Sequence, residues 1–215
     1  MIQAIKFSIL AVAISASMGS AAYAQTNPWW VRVGPAAVNF SASAVVKAGG
    51  NVVPGASANA DTNYTVAVEI GRNLTPNWAL GLTLGLPPTA KLYGTGTAAP
   101  LGELGRVQYG PAVLSLQYQF DGLGAWQPYL GLGINRTIIL DAPDGTLKSL
   151  NVDSAWGSVI QAGTEYNFSR RMFAFVDLKK IFLKTNATGT LGGAPVQARV
   201  TLNPLITTIG LGWRF

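Results

Sequence analysis

Polarity alternates with a period of two along most of this chain. Successive strand residues point to opposite faces, so a run with every second residue apolar reads as a strand with one greasy face. In the stretch from Trp78 to Gly85, Trp78, Leu80, Leu82 and Leu84 share one face, and Ala79, Gly81, Thr83 and Gly85 share the other. A helix would scatter these leucines around its axis and be weakened by the small residues between them. The reading repeats for Leu114, Leu116, Tyr118 and Phe120 against Ser115, Gln117 and Gln119, and for Leu130, Leu132 and Ile134 against Tyr129, Gly131, Gly133 and Asn135. It repeats for Ile160, Ala162, Thr164, Tyr166 and Phe168 against Gln161, Gly163, Glu165 and Asn167. Tyr64, Val66, Val68 and Ile70 oppose Thr65, Ala67, Glu69 and Gly71. Leu205, Ile209, Leu211, Trp213 and Phe215 oppose Ile206, Thr208, Gly210, Gly212 and Arg214. Residues 30–40 and 173–185 alternate less cleanly and complete a set of eight.

The connections alternate in length. Residues 74–77, 121–127 and 169–172 are short, whereas 41–63, 87–105, 141–153 and 186–195 are long and rich in Gly, Ala, Thr and Pro. Short turns at one end and long loops at the other suit an outer-membrane barrel. The expected fold is therefore all-β: an eight-stranded antiparallel transmembrane up-and-down β-barrel with short periplasmic turns and long extracellular loops. An open sheet in lipid would leave N–H and C=O groups unpaired along both edges, and closure removes the edges. Trp29, Trp30, Trp78, Trp126, Trp156, Phe168, Phe173 and Trp213 are expected to form the interfacial girdles. Arg136, Lys180 and Lys184 fall on outward positions, which calls for a place above the hydrocarbon or a bulge that changes the phase.

Composition sharpens this picture. The 215 residues are 49% hydrophobic and 11% charged, against about 25% charged in soluble domains. A soluble sandwich or lipid carrier would show charge on its outer face, and the face opposite the leucines carries mostly Gly, Ala, Thr, Ser and Gln. The chain has no Cys and no His, so thiolate nucleophiles, imidazole-activated hydroxyls and Cys- or His-held metals are excluded. Neither catalysis nor a cofactor nor a metal site is expected. The formal charge of +6 comes from 15 basic and 9 acidic residues. They are too sparse and unclustered for a nucleic-acid stripe.

The first 24 residues read as a secretory signal peptide. Lys6 supplies the positive start, residues 7–14 the apolar core, and Ala22, Tyr23 and Ala24 a small-x-small cleavage site. Residues 25–215 then form the barrel.

The predicted lumen-lining set is Arg32, Glu69, Thr83, Gln117, Asn135, Gln161, Glu165, Asp177, Lys179 and Arg214, with Gln119 beside it. An eight-stranded barrel is barely wide enough for its own side chains. These groups either pair and seal the lumen or line a narrow polar path. Lys47, Lys91, Arg106, Lys148 and Arg199 are expected on the extracellular side, within reach of lipopolysaccharide phosphates.

Several blocks carry a resemblance. Trp30-Val31-Arg32-Val33-Gly34 stands near the start, residues 78–87 form the third strand and its exit, and Pro128-Tyr129-Leu130-Gly131-Leu132-Gly133-Ile134-Asn135 follows. Asp153-Ser154-Ala155-Trp156-Gly157 leads to Gln161-Ala162-Gly163, and Asn203-Pro204 precedes Ile209-Gly210-Leu211-Gly212-Trp213-Arg214-Phe215. In these blocks the chain resembles the OmpW family, AlkL-type proteins included. The resemblance implies a bacterial outer-membrane barrel that aids passage of small hydrophobic molecules, with sideways release through the wall in related channels. The alternative is a structural or adhesive barrel whose loops bind lipopolysaccharide, host surfaces or phage. The terminal Phe215 fits recognition by the barrel-assembly machinery. Thr83 and Asp177 stand where an apolar floor is expected in a tunnel for greasy cargo, and residues 141–150 offer leucines but few aromatics.

Overall fold

The structure, a computed structural model, describes residues 28–215; the predicted signal peptide lies outside them. Fourteen strands follow in order: β1 (Trp29–Asn39), β2 (Ser43–Ala48), β3 (Asn51–Val52), β4 (Ala56–Ala60), β5 (Asn63–Asn73), β6 (Trp78–Gly85), β7 (Thr89–Gly96), β8 (Glu103–Gln119), β9 (Trp126–Asp141), β10 (Lys148–Val152), β11 (Ala155–Asn167), β12 (Met172–Leu191), β13 (Ala194–Thr201) and β14 (Leu205–Arg214). Eight of them, β1, β5, β6, β8, β9, β11, β12 and β14, pair antiparallel each to the next. The β14–β1 ladder, from Trp30 opposite Arg214 to Asn39 opposite Leu205, closes the cylinder. This is the predicted fold.

Parity sets what each strand shows to lipid. Trp78, Leu80, Leu82 and Leu84 are exposed, while Ala79 and Gly81 between them are buried. Leu132 is 68% exposed and Trp156 64%, values that in water would be costly and in lipid bury apolar surface against acyl chains. From Trp126 to Arg136 the strand climbs about 25 Å at a rise of about 3.3 Å and a tilt of about 40°. Trp126 stacks edge-on against Tyr166 at 5.0 Å at the periplasmic end, and Arg136 lies over Trp156 at 5.1 Å at the other. These two levels bound the hydrocarbon.

Two expectations need correction. Trp30 and Phe173 are not in the girdles: they are 1% and 0% exposed and point into the lumen. Neighbouring residues on one strand cannot share a face, so Trp29 takes the interface and Trp30 goes in. Nor does a bulge rescue Lys180, since the β11–β12 register runs unbroken from Gly157 opposite Leu183 to Asn167 opposite Phe173. Lys180 instead bends upward and its Nζ donates to the Asn203 carbonyl at 2.7 Å, the snorkelling expected of a long cationic side chain at a membrane edge.

The long loops are largely strand. β12 runs on past its pairing with β11 to pair with β10 and β13, β13 pairs with β2, and β4 pairs with β7 against β8. The barrel wall thus continues as a collar above the membrane. In that collar the Asp144 carboxylate accepts from the backbone N–H of Ser149 at 3.0 Å and Leu150 at 2.9 Å. Ser149 sits at φ 52°, an unusual position for a non-glycine residue. The Leu150 and Ser149 amides hold the Asp144 carboxyl below its ordinary range.

Two measurements check these features. Leu132→Arg is expected to destabilise the barrel in lipid vesicles by roughly 2–4 kcal/mol, the cost of an arginine near the midplane, read from denaturant titration; a neutral outcome would mean that Leu132 does not face lipid. Because the Asp144 pKa is depressed on folding, its contribution to the collar is full above the ordinary carboxylate range and is lost as pH falls through the lowered value. Hydrogen exchange at the Ser149 and Leu150 amides should therefore lose protection on acidification, and Asp144→Asn should weaken that pH dependence.

Candidate functional site

The site begins with Arg32, which parity places inside the lumen on β1. Its guanidinium lies between two rings, 4.1 Å from Trp30 and 4.3 Å from Tyr129. Glycines opposite make room for them: a Cβ at Gly71 would overlap the Trp30 ring, and one at Gly163 would overlap Tyr129. Arg32 donates to Glu69 at 3.0 Å, to Gln117 at 3.2 Å and to Glu165 through Nη2 at 2.6 Å and Nε at 3.0 Å. Gln117 in turn donates to the other Glu69 oxygen at 2.7 Å.

A second centre gathers on Asp177. It accepts from Tyr129 at 2.7 Å, Gln161 at 2.5 Å and Lys179 at 2.5 Å, and Lys179 also stands 3.5 Å from Glu69. At the periplasmic mouth Arg214 pairs with Glu165, donates to Asn167 at 2.6 Å and lies over Phe173 at 4.2 Å. Eight of the ten predicted lumen residues therefore form one bonded cluster. Three cations, Arg32, Lys179 and Arg214, meet three carboxylates, Glu69, Glu165 and Asp177. A buried charge persists only when paired and hydrogen-bonded, and every member here is. Asn135 stands apart, one level up, donating to the Ala112 carbonyl at 3.2 Å and accepting from Thr137 at 2.8 Å. Thr83 lies at the upper edge of the cluster, and its Oγ1 has no hydrogen-bond partner. Trp30, Tyr129 and Phe173 complete the packing; Trp30 shares the parity of Arg32 and Phe173 that of Asp177 and Lys179, although their place near strand ends had assigned both to the girdles.

Above the charges the lumen becomes apolar. Ala36, Val38, Val113, Val159, Ile181 and Ile206 form a floor, above Asp177 and beside Thr83, which stands opposite Val113; the sequence had suggested that an apolar floor was missing. Phe40, Val107, Tyr109, Ile139 and Leu202 line a throat above it. The throat opens into a collar cavity of about 260 Å³ walled by residues such as Leu92, Leu104, Leu150, Leu191 and Val196. Leu147 and Leu150 of the 141–150 segment contribute here, whereas Leu140 faces outward.

The wall beside the floor is not continuous. The β6–β8 ladder ends at Leu84 opposite Ala112, and pairing with β8 resumes only at Thr89 opposite Gln108. Pro87, Pro88 and Pro111 occupy the interval, and proline has no N–H to give a ladder. One bond crosses, from the Tyr109 N–H to the Pro88 carbonyl at 3.2 Å. A small lumen cavity touching Thr83, Val113 and Lys179 reaches Gly85, Pro88, Pro111 and the outward-facing Leu84 at this gap.

Removing one partner from the cluster leaves its opposites buried and unpaired. Arg32→Met is expected to cost about 3–5 kcal/mol, measured by urea unfolding in detergent, and restoring neutrality with Arg32→Met plus Glu165→Gln should recover part of the loss.

A family model described as the OmpW family matches residues 28–215. The dibenzothiophene metabolism operon protein PahQ of Pseudomonas aeruginosa is 38% identical over 198 residues, covering 92% of this chain and 93% of the relative. Outer membrane protein AlkL of Ectopseudomonas oleovorans is 33% identical over 202 residues, covering 91% of this chain and 85% of the relative. The crystal structure of the outer membrane protein OprG from Pseudomonas aeruginosa superposes with a TM-score of 0.81 at 22% identity, covering 88% of this chain and 96% of that one, a likeness of fold.

Proposed function

This chain belongs to the OmpW family, and on that premise we propose that it admits small hydrophobic molecules at its extracellular mouth and releases them sideways into the outer membrane. It is an integral outer-membrane β-barrel and not an enzyme. The observation that carries the proposal is the change of lumen character with depth. An apolar cavity and throat lead down to an apolar floor, and beneath the floor lies a neutralised, fully bonded cluster that seals the way to the periplasm. A greasy solute that reaches the floor meets the proline gap at its side. Leaving there takes it into acyl chains without parting any ion pair of the cluster. A relative named for a dibenzothiophene metabolism operon supports cargo of this class, since dibenzothiophene is a fused-ring, water-shy compound.

Residues 1–24 act as the signal peptide, and Phe215 is the terminal mark read by the assembly machinery. Arg136 and Trp156 stand opposite one another at the outer interface, and Lys184, exposed on β12, is at a similar height. With the collar cations Lys47, Lys91, Arg106, Lys148 and Arg199 they meet the phosphates of lipopolysaccharide. An adhesive barrel would have no need of an apolar interior or a broken wall.

Uptake of radiolabelled naphthalene by cells deleted for the gene and complemented with wild type should be several-fold faster than with empty vector. The triple variant Pro87→Ala, Pro88→Ala, Pro111→Val restores the missing donors and should slow uptake while raising heat stability. Uptake indifferent to deletion, with envelope binding altered instead, would favour the adhesive reading.

A further inference from the structure

Among the described residues only two buried side-chain polar atoms lack a hydrogen-bond partner: the Tyr109 hydroxyl and Thr83 Oγ1. Neither belongs to the charged cluster, where each polar group is satisfied. Both border the proline gap. Tyr109 sits above it, bonded through its own N–H to the Pro88 carbonyl, and Thr83 sits below, two residues before Gly85 on β6. Both also line the apolar path, Tyr109 in the throat and Thr83 in the small cavity at the wall.

Tyr109 is the sharper case. It is 7% exposed and packs edge-on against Phe40 at 5.9 Å, among Val107, Ala60 and Ala90. A phenylalanine would fill this place with equal apolar contact and no stranded oxygen. A buried hydroxyl left unmet lowers stability, so its presence in an otherwise greasy throat calls for a use. The β8–β9 register also shifts between Gln108 and Tyr109, and such irregularities re-aim side chains beside functional sites.

We infer that Tyr109 is a specificity-determining residue and that the cargo is an apolar ring compound carrying one hydrogen-bonding atom, such as a phenol, in preference to the bare hydrocarbon. The hydroxyl meets that atom in the throat, and Thr83 Oγ1 offers a second contact at the wall. Two such contacts set apart molecules of equal size and nearly equal shape, which an apolar lining by itself separates poorly. This inference rests on the transport reading and names the class of molecule that the path takes.

The test uses the full chain in detergent micelles, with naphthalene and 2-naphthol as matched probes, equilibrium dialysis as readout and probe uptake by protein-free micelles subtracted. Wild type is expected to bind 2-naphthol several-fold more tightly than naphthalene. Tyr109→Phe should weaken 2-naphthol roughly three- to tenfold, the worth of one hydrogen bond in a desolvated site, and leave naphthalene unchanged or tighter. Its thermal unfolding midpoint should hold or rise, because a stranded hydroxyl has been removed. Thr83→Val, nearly the same shape, should slow uptake of 2-naphthol by cells and spare naphthalene. A Tyr109→Phe protein that binds both probes with the wild-type ratio, or that melts lower because the hydroxyl was structural, overturns the inference and leaves transport standing. Wild type that binds neither probe overturns both.

Discussion

Everything in this molecule answers to the absence of water in the bilayer core. A strand there must find both of its neighbours, because no solvent will pair an N–H or C=O left bare. Closure of β14 on β1 removes both edges, and the lapse in the wall between β6 and β8 is filled by prolines that have no N–H to leave bare. With the edges gone, parity decides the rest. Leucines and tryptophans meet acyl chains, and whatever alternates with them must fill a narrow tube.

What fills the tube divides into two regimes that obey opposite rules. In the lower half charges are tolerated because they are matched, three against three, and wedged between rings: Arg32 between Trp30 and Tyr129, Arg214 over Phe173. Such a cluster is rigid, since moving any member strands another. The upper half is lined mainly by valines, alanines and leucines, with a few side-chain hydrogen bonds at Asn135, Thr137 and Thr185. The boundary lies at the level of Thr83 and Ile206. At that level the ladder also lapses between Leu84 and Thr89, so the start of the apolar interior and the break in the wall coincide.

Strand number and topology were legible from period-two alternation and loop lengths, because lipid on one side and a filled lumen on the other force strict alternation. Eight of the ten inward residues proved to be bonded to one another, yet no spacing in the chain showed that Glu165 would meet both Arg32 and Arg214. Those contacts depend on register across strands far apart in sequence. Trp30 and Phe173 were misplaced because aromatic residues near strand ends serve girdles and lumen packing alike; in Trp30's case the parity of Trp29 already held the answer. The collar strands went unseen, since their Gly-, Ala- and Thr-rich segments carry little alternation. Pro87, Pro88 and Pro111 were plain to read, but only the strand register, which sets them in one interval between β6 and β8, turns them into a breach.

The electrostatic cluster also records how the cylinder was completed. Arg32 comes from the first strand and Arg214 from the last, and the carboxylate they share, Glu165, comes from β11. A wall with its final strand undocked holds Glu165 against one arginine instead of two and leaves Phe173 uncovered. Electrical neutrality thus arrives together with the seam, and a half-built cylinder is marked as unfinished by the charge it still carries.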